Sequence, residues 1–289
     1  MAEPVLRNVG GSVRQRLLNL SRAGGAPFDI LLIRYVLERL LYRLTLTPHA
    51  DRFALKGAMP VTSWFPDPHR QTRDLDLLGF GAPDAETLLA IFRDVCAVSL
   101  EDGVEIDAAG LRAHAIRETL EYGGQRLRTT ALVAGARVNI VIDVGFGDAV
   151  EPDLEEVDLP VLLDQPPPRL RAYARETVIA EKFQAMVDLG LGNSRYKDFY
   201  DVWMLSRASA FEGDRLALAI RATFERRRTE IPAQRPEALT GAFADDAQRR
   251  RQWAIFVEDL GASDLDLVRV TTDLAAFLMP HAERARELA

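Results

Sequence analysis

Apolar and polar positions near the start of the chain repeat with the period of an α-helix. Apolar residues recur every three or four positions from Val13 to Leu20 and again from Phe28 to Leu44, which predicts two amphipathic helices. The stretch from Gly24 to Pro27 separates them. Charged residues interleaved in the second helix are expected to form its solvent-exposed face, with an RNA-binding face as the alternative: Arg34, Glu38, Arg39 and Arg43.

A different pattern, in which apolar and polar residues alternate, predicts β-strands in the first half of the chain. The segments concerned are Arg52 to Lys56, Thr72 to Gly79, Ile116 to Leu120, Gln125 to Leu132 and Arg137 to Val144. The last two segments flank Ala134-Gly135 and are expected to form an antiparallel hairpin. A loop is expected from Thr62 to Gln71, and a helix from Ala85 to Leu100 that carries Cys96 on its buried stripe.

The second half of the chain is expected to be mainly helical. An acidic and then proline-rich stretch, Glu151 to Arg169, is expected to link two lobes. Helical periodicity follows in three segments: Glu176 to Leu189, Lys197 to about Arg207, and residues 253 to 289. The last segment is expected to break near Gly261 and Pro280. The predicted division is therefore residues 1–150 and residues 151–289.

The composition narrows the class of protein. With 289 residues, of which 48% are hydrophobic, the chain can bury one large or two moderate cores. It has no run of 18 apolar residues and no apolar signal-peptide core, so a cytoplasmic protein without a membrane partner is expected. Cys96 is the only cysteine, which excludes an intrachain disulfide and a zinc-binding cysteine cluster.

Charge gives a weaker indication of the partner. A net charge of −7 argues against a uniformly basic nucleic-acid-binding protein, although it leaves room for a local basic groove. Two short basic clusters occur late in the chain, Arg226-Arg227-Arg228 and Arg249-Arg250-Arg251. They are expected to be solvated helix ends, with contacts to RNA phosphates as the alternative.

The strongest chemical signal is a pair of aspartates in the predicted strand Thr72 to Gly79. Asp74 and Asp76 are two residues apart, so both side chains project from the same face of a strand. Two neighbouring carboxylates repel each other, and a hard cation such as Mg²⁺ relieves that repulsion and binds phosphates. The alternative is an exposed strand with two solvated aspartates. Phosphorylation of Thr72 would add negative charge beside this pair, which makes Thr72 a candidate regulatory residue. The alternative is that Thr72 only orders the loop.

Three other places carry candidate residues. Lys56-Gly57 follows a predicted strand and could hold a phosphate, although the glycine could simply end the strand. Asp143 ends an otherwise apolar strand, as a third carboxylate or as the cap of the next turn. Asp198 and Asp201 share one helix face, where a plain salt bridge with a lysine is the alternative to catalysis.

Taken together, these motifs resemble the AbiEii/AbiGii toxin family, the nucleotidyltransferases of type IV toxin–antitoxin systems. The residues that carry the resemblance are Leu55-Lys56-Gly57, Arg73-Asp74-Leu75-Asp76-Leu77, Asp143, Glu181-Lys182 and Lys197-Asp198-Phe199-Tyr200-Asp201. The resemblance covers roughly residues 28 to 210. It implies an α+β fold: a polymerase-beta-like nucleotidyltransferase core, with a mixed sheet and flanking helices, and a helical C-terminal lobe that closes the cleft.

The resemblance also implies roles for the residues. Asp74 and Asp76 correspond to the metal-binding pair, Gly57 to the glycine beside the nucleotide phosphates, and Lys182 and Asp198 to two C-terminal motifs, with Lys197 and Asp201 beside them. Asp143 fits a third carboxylate. Gly57 is followed by Ala58 where this superfamily usually has Gly or Ser, and lies farther from Asp74 than is common. A serine hydroxyl that would help to hold the triphosphate is therefore missing.

The activity implied is a transfer, dependent on Mg²⁺ or Mn²⁺, of a nucleotide from an NTP to RNA, with the 3′ end of tRNA as the favoured acceptor. Such a modification would block translation, and a winged-helix antitoxin encoded nearby would be the partner. Two alternatives stay open: nucleotide transfer to a protein hydroxyl, and a catalytically silent nucleotide-fold protein that acts by binding a partner.

Overall fold

The computed structural model of the chain describes residues 8–24, 26–65, 72–82, 84–116, 123–211 and 213–288. These residues contain the following α-helices: α1 (Val9–Gly24), α2 (Phe28–Thr45), α3 (Ala85–Ala97), α4 (Arg175–Leu189), α5 (Tyr196–Ala208), α6 (Arg215–Arg226), α7 (Gly241–Ala244), α8 (Ala247–Glu258) and α9 (Leu267–Glu287). The strands are β1 (Phe53–Lys56), β2 (Leu75–Gly79), β3 (Glu105–Ile106), β4 (Arg112–Ile116), β5 (Gly124–Val133), β6 (Ala136–Phe146), β7 (Glu155–Asp158) and β8 (Arg169–Ala172).

The chain folds into two units. The first comprises Met1–Gly147 and Glu156–Ala172, and the second comprises Asp148–Glu155 and Tyr173–Ala289. The segment expected to be a linker therefore returns in large part to the first unit, where it supplies β7 and β8. Leu170 and Ala172 of β8 are buried, and Ala172 pairs in parallel with Leu55 of β1. Burial of these apolar residues outweighs the proline-rich composition that favoured a linker.

The first unit is built on one mixed sheet. Its strand order is β3-β5-β6-β2-β1-β8-β7, and β4 pairs with β5 beside β3. Strand β2 is central, since it pairs antiparallel with β1 and parallel with β6. Alternate residues of β5 and β6, among them Leu127, Ile140 and Ile142, are fully or almost fully buried. One face of these strands is therefore in the core, and the intervening polar residues occupy the other face.

The predicted hairpin is confirmed. Val133 pairs with Ala136, and the turn residues Ala134 and Gly135 have positive φ values of 47° and 78°. Two positive φ values are typical of the two-residue turn that matches the twist of the strands it joins. The turn fixes the register of the whole hairpin, so that Arg126 of β5 stands opposite Asp143 of β6.

The prediction that the charged residues of α2 form its solvent-exposed face is wrong for three of the four. Glu38, Arg39 and Arg43 are only 1–2% exposed. Arg39 donates to Asp102 at 3.0 Å, and Arg43 donates to both carboxylate oxygens of Asp102 at 2.6 and 3.0 Å. The two guanidinium groups share one buried carboxylate, which offsets the cost of removing the charges from water.

Other boundaries differ from the predicted ones. Strand β2 begins at Leu75, so Asp74 lies just before it, and the strand expected at Ile116 to Leu120 is β4, which ends at Ile116. Residues 117–122, and residues 66–71 of the expected loop, lie outside the described part. The earlier part of that loop forms a short 3-10 turn, Pro60–Ser63.

The second unit is mainly helical, as expected. Helices α4 and α5 agree with the predicted segments to within two residues at each end. Gly261 follows α8 with φ +68°, but Pro280 lies inside α9 and does not end it. Buried residues on both sides of the proline, Leu278 and Ala282, hold the helix through it. Among the described residues, no helix combines the length and apolar character needed to cross a bilayer.

Candidate active site

Charged residues from four adjacent strands form one row across the sheet, on the face opposite the core. In register, Lys56 of β1 is opposite Asp76 of β2, Asp76 is beside Asp143 of β6, and Asp143 is opposite Arg126 of β5. Residues in register on neighbouring strands project from the same face. The sheet therefore brings together three of the sequence-predicted residues, Lys56, Asp76 and Asp143, although they lie far apart along the chain.

Asp74 belongs to the same group. It is exposed, and it lies two residues before Asp76, just ahead of the first residue of β2. The charges of Asp74 and Asp76 both raise the pKa of Arg126. The two aspartates are therefore close enough to act on one guanidinium group.

Arg126 is a site residue that the sequence analysis did not identify. Its Nε donates to Oδ1 of Asp143 at 2.7 Å and its Nη2 donates to Oδ2 at 2.6 Å. This bidentate hydrogen bond is the largest cause of the raised pKa of Arg126. The sequence did contain a signal, because pairing outward from the Ala134-Gly135 turn places Arg126 opposite Asp143.

Gly57 makes room for Asp76. It follows β1 with φ +70°, a conformation that favours glycine. A Cβ added at Gly57 would lie 3.0 Å from both Cβ and Cγ of Asp76 and closer still to Oδ2. The structure therefore gives this glycine a steric reason besides the expected approach of a phosphate: any side chain there would displace the Asp76 carboxylate.

The donor set suits a hard divalent cation, because carboxylate oxygens are the ligands that Mg²⁺ and Mn²⁺ prefer. Within the described residues, no three His, Cys, Asp or Glu side chains are already arranged around a common metal position. Arg126 explains part of this, since it occupies both oxygens of Asp143. Asp74 and Asp76 are candidate metal ligands, and Asp143 is a third through the lone pairs that Arg126 leaves.

Thr72 is fixed to the backbone next to this pair. Its Oγ1 donates to the backbone oxygen of Asp74 at 3.1 Å, and its side chain is partly exposed. The neighbouring Arg73 is 3.4 Å from the carboxylate of Asp29 in α2. Thr72 thus helps to order the start of β2, and its hydroxyl is still reachable from solvent.

The second unit holds the remaining candidates. Lys182 of α4 donates to Asp198 of α5 at 2.5 Å and lies 3.0 Å from Asp201 of the same helix. The lysine side chain is 10% exposed and the two aspartates are 8% and 0% exposed. Asp198 and Asp201 share one helix face as predicted, and both are directed at the same ammonium group. Lys197, by contrast, is exposed.

One more charged group lies beside Lys182 along α4. Glu181 accepts from Arg227 at 2.8 Å, and Asp148 accepts from the hydroxyl of Tyr173 at 3.3 Å. Burial, followed by the charges of Glu181 and Asp148, raises the pKa of Tyr173. Arg227 is 19% exposed, so the expectation that the whole cluster at residues 226–228 is solvated is wrong for its central residue. Periodicity could not identify this, because the partners of Arg227 are distant in sequence.

Cys96 is not part of the site. It is buried on α3, as predicted, and burial raises the pKa of its thiol to about 11. A thiol with that pKa is almost entirely protonated at neutral pH and makes a poor nucleophile.

Comparison with known proteins gives a family and a fold. The sequence matches the family described as nucleotidyl transferase AbiEii toxin, type IV TA system, over residues 39–283. The structure is similar to MenT4, a nucleotidyltransferase toxin from Mycobacterium tuberculosis H37Rv, with 19% sequence identity, a TM-score of 0.56 and 92% of each chain covered. It is also similar to JHP933 from Helicobacter pylori, with 14% identity, a TM-score of 0.50 and coverage of 91% of this chain and 96% of that chain.

A search of curated proteins gives no match. At such low identities the structural likeness establishes the fold alone. The expected α+β fold, with a mixed sheet and flanking helices, is thereby confirmed.

Proposed function

The chain belongs to the AbiEii family of nucleotidyltransferase toxins of type IV toxin–antitoxin systems, and we propose that it transfers a nucleotide from an NTP to an RNA acceptor, preferably the 3′ end of tRNA. The observation that carries the proposal is the register of the sheet. It sets Asp76 beside Asp143, with Lys56 on one side of them and Arg126 on the other. Such a row combines oxygen ligands for a metal with positive charge for phosphates.

In the proposed reaction, the acceptor hydroxyl attacks the α-phosphorus of the NTP. A bond forms between the hydroxyl oxygen and that phosphorus, the bond from phosphorus to the bridging oxygen breaks, and pyrophosphate leaves. Asp74 and Asp76 would hold Mg²⁺ or Mn²⁺, which supplies positive charge to the phosphates when it is bound. Lys56 adds charge beside Asp76, and Gly57 keeps the space next to the carboxylate open.

Asp143 has two proposed roles: it takes the proton of the acceptor hydroxyl, or it binds a second metal. Arg126 takes one lone pair on each oxygen of Asp143, so either role uses one of the two lone pairs that remain. Arg126 is therefore proposed to limit the directions from which Asp143 can be approached.

The second unit is proposed to supply Lys182 as a phosphate-binding cation. Asp198 and Asp201 hold its ammonium group in place at 2.5 and 3.0 Å. The two carboxylates fix the position of the ammonium group but more than neutralise its charge, so Lys182 would bind a phosphate only if one of them gave up its contact. Lys197 and Asp201 are proposed to border the nucleotide.

The family supports a proposal for the partner and for the location. A type IV toxin–antitoxin family implies an antitoxin as well as a nucleotide substrate. We propose a winged-helix antitoxin encoded by the adjacent reading frame, and the cytoplasm as the site of action. Co-expression of that frame should relieve growth inhibition by this chain if the assignment is right. No relief would contradict it.

The test of the acceptor uses each of the four NTPs in turn, labelled at the α-phosphate, with Mg²⁺ and with total tRNA or total cell protein. We expect label from one preferred NTP to enter tRNA, and periodate oxidation of the 3′ end of tRNA to abolish its labelling. Label in protein would instead support transfer to a protein hydroxyl. No transfer at all, together with undiminished toxicity of Asp74→Ala, would support a silent partner-binding protein.

Thr72 is proposed as a control point for the same site. A phosphate on its Oγ1 would break the hydrogen bond to the Asp74 backbone and add negative charge next to the metal-binding pair. We expect Thr72→Glu to abolish transfer and Thr72→Ala to retain most of it. Full activity of Thr72→Glu would count against regulation at this residue.

A further inference from the structure

A compact group of arginines lies next to the carboxylates, on the face of the sheet opposite the core. Arg112 of β4 pairs in register with Arg128 of β5, and two residues along β5 is Arg126. We call Arg112, Arg126 and Arg128 the basic block. The intervening Leu127 is fully buried, whereas Arg112 and Arg128 are exposed. The three guanidinium groups are therefore on the solvent side of the strands.

The basic block is continuous with the active site. Arg126 bonds Asp143, and Asp143 is in register with Asp76. On the far side of Asp76 is Lys56, in register on β1. The carboxylates thus lie between two positive groups, one on β1 and one on β4 and β5. A transferase that joins two phosphate-bearing substrates needs positive charge on both sides of its reacting centre.

The placement of the arginines is unfavourable without an anion. Like charges directly opposite each other on antiparallel strands destabilise the pair. Arg112 donates to the backbone oxygens of Ala109 and Leu111 at 2.8 and 2.9 Å. Among the described residues, no carboxylate pairs with its charge. Arg128 makes no ion pair within the part of the chain that the structure describes. In a chain with net charge −7, such a concentration of positive charge is a local exception.

The spacing suits a polyanion. Neighbouring strands are about 5 Å apart, and residues two apart on a strand are separated by about 7 Å. These intervals are comparable to the separation of successive phosphates along a nucleic-acid strand. Arginine also forms bidentate hydrogen bonds with phosphate, which a lysine cannot do.

We propose that the basic block holds the sugar–phosphate backbone of the acceptor RNA just before its reacting end, while Lys56 faces the phosphates of the NTP. The inference rests on the proposed RNA acceptor and adds the surface that binds it. Arg112 and Arg128 contact the backbone, and Arg126 links that contact to Asp143. Recognition of this kind depends on charge and is independent of base sequence.

The experiment measures binding of 5′-fluorescein-labelled tRNA to the full chain by anisotropy, across a series of salt concentrations. The variants are Arg112→Gln/Arg128→Gln and Arg128→Gln alone, because Arg112 also bonds backbone oxygens. The matched control is Arg250→Gln/Arg251→Gln, which removes the same charge from exposed residues of α8. Circular dichroism and thermal unfolding check that each variant folds.

We expect the double variant at the basic block to weaken binding on the order of tenfold at physiological salt, and to reduce the slope of log K against log salt by about 1.4 to 1.8. Arg128→Gln alone should give about half of that change in slope. In the transfer assay the KM for tRNA should rise while the KM for the NTP stays unchanged. The control should behave like the wild type.

The outcomes distinguish a failure of the proposed RNA-binding surface from a failure of the proposed function. If the wild type labels tRNA and the basic-block variants do so with unchanged KM and salt slope, the surface is wrong and the proposed function stands. An equal loss in the α8 control would also overturn it, in favour of a contact on α8 or of general electrostatics. If the wild type neither binds nor labels tRNA, the RNA acceptor is wrong and the surface is overturned with it.

Discussion

Replacing Gly57 with alanine tests the link between the end of β1 and the Asp76 carboxylate. Gly57 has φ +70°, and the added methyl group would lie 3.0 Å from Cβ and Cγ of Asp76 and closer to Oδ2. Real Cβ atoms do not approach other atoms this closely, so the carboxylate has to move. The substitution therefore displaces the proposed metal ligand Asp76 without altering its chemistry.

Two costs follow from this geometry. A left-handed backbone costs an alanine about 1 kcal/mol relative to glycine, which should appear as a loss of stability. Displacing a catalytic group by about 1 Å costs roughly 100-fold in rate. We therefore expect Gly57→Ala to unfold at slightly lower denaturant concentration and to lose about two orders of magnitude in kcat.

Gly135 provides the matched control. It has a similar φ, +78°, but a Cβ added there would meet no described atom within 4 Å. Gly135→Ala should lose a similar amount of stability in a urea titration and keep its rate of labelled-nucleotide transfer. A wild-type rate for Gly57→Ala, or an equal loss in Gly135→Ala, would refute the reasoning.

Three further substitutions or treatments test the buried groups. Asp102→Ala leaves two buried guanidinium groups without their carboxylate and should lower the free energy of unfolding, measured by urea titration, by about 3–5 kcal/mol. Glu156→Ala, which breaks an exposed pair, should leave the unfolding midpoint nearly unchanged. Lys182→Met strands two buried carboxylates and should cost about 3 kcal/mol. Replacing the exposed Lys197 with methionine should leave the stability nearly unchanged. Equal stability of these two variants would argue against a buried charge at Lys182. Cys96 should resist a thiol reagent at pH 8, because with a pKa of about 11 only about one thiol in a thousand is ionised. It should react fully once the chain is unfolded. Rapid reaction of the native protein would contradict its burial.

The periods of strands and helices predicted which residues share a face, but not the contacts that those residues make across the fold. The period of a strand predicted that Asp74 and Asp76 share one face; Asp74 lies before β2, and both charges act on Arg126. Helical spacing correctly placed Asp198 and Asp201 on one face. The pairing of β2 with β6, which sets Asp76 beside Asp143, is a long-range contact that no local pattern specifies. The bidentate hydrogen bond from Arg126 to Asp143 depends on register, and it could be deduced only by counting from the hairpin turn.

Charged residues explain most of the errors. Amphipathic patterning assigns charges to the solvent face, so it misplaced Arg39 and Arg43, whose partner Asp102 belongs to a loop far along the chain. Arg227 was misplaced for the same reason, since Glu181 on α4 neutralises it. Local rules also overestimated the effect of proline: packing of α9 on both sides of Pro280 keeps that helix continuous.

The central claim is that this chain transfers nucleotides through the carboxylates at the start of β2. The most direct measurement compares transfer of α-labelled nucleotide to tRNA, in the presence of Mg²⁺, by the wild type, by Asp76→Asn and by Asp51→Asn, an isosteric change at an exposed aspartate. We predict transfer by the wild type and by Asp51→Asn, and none by a folded Asp76→Asn. Transfer by Asp76→Asn at the wild-type rate would contradict the claim.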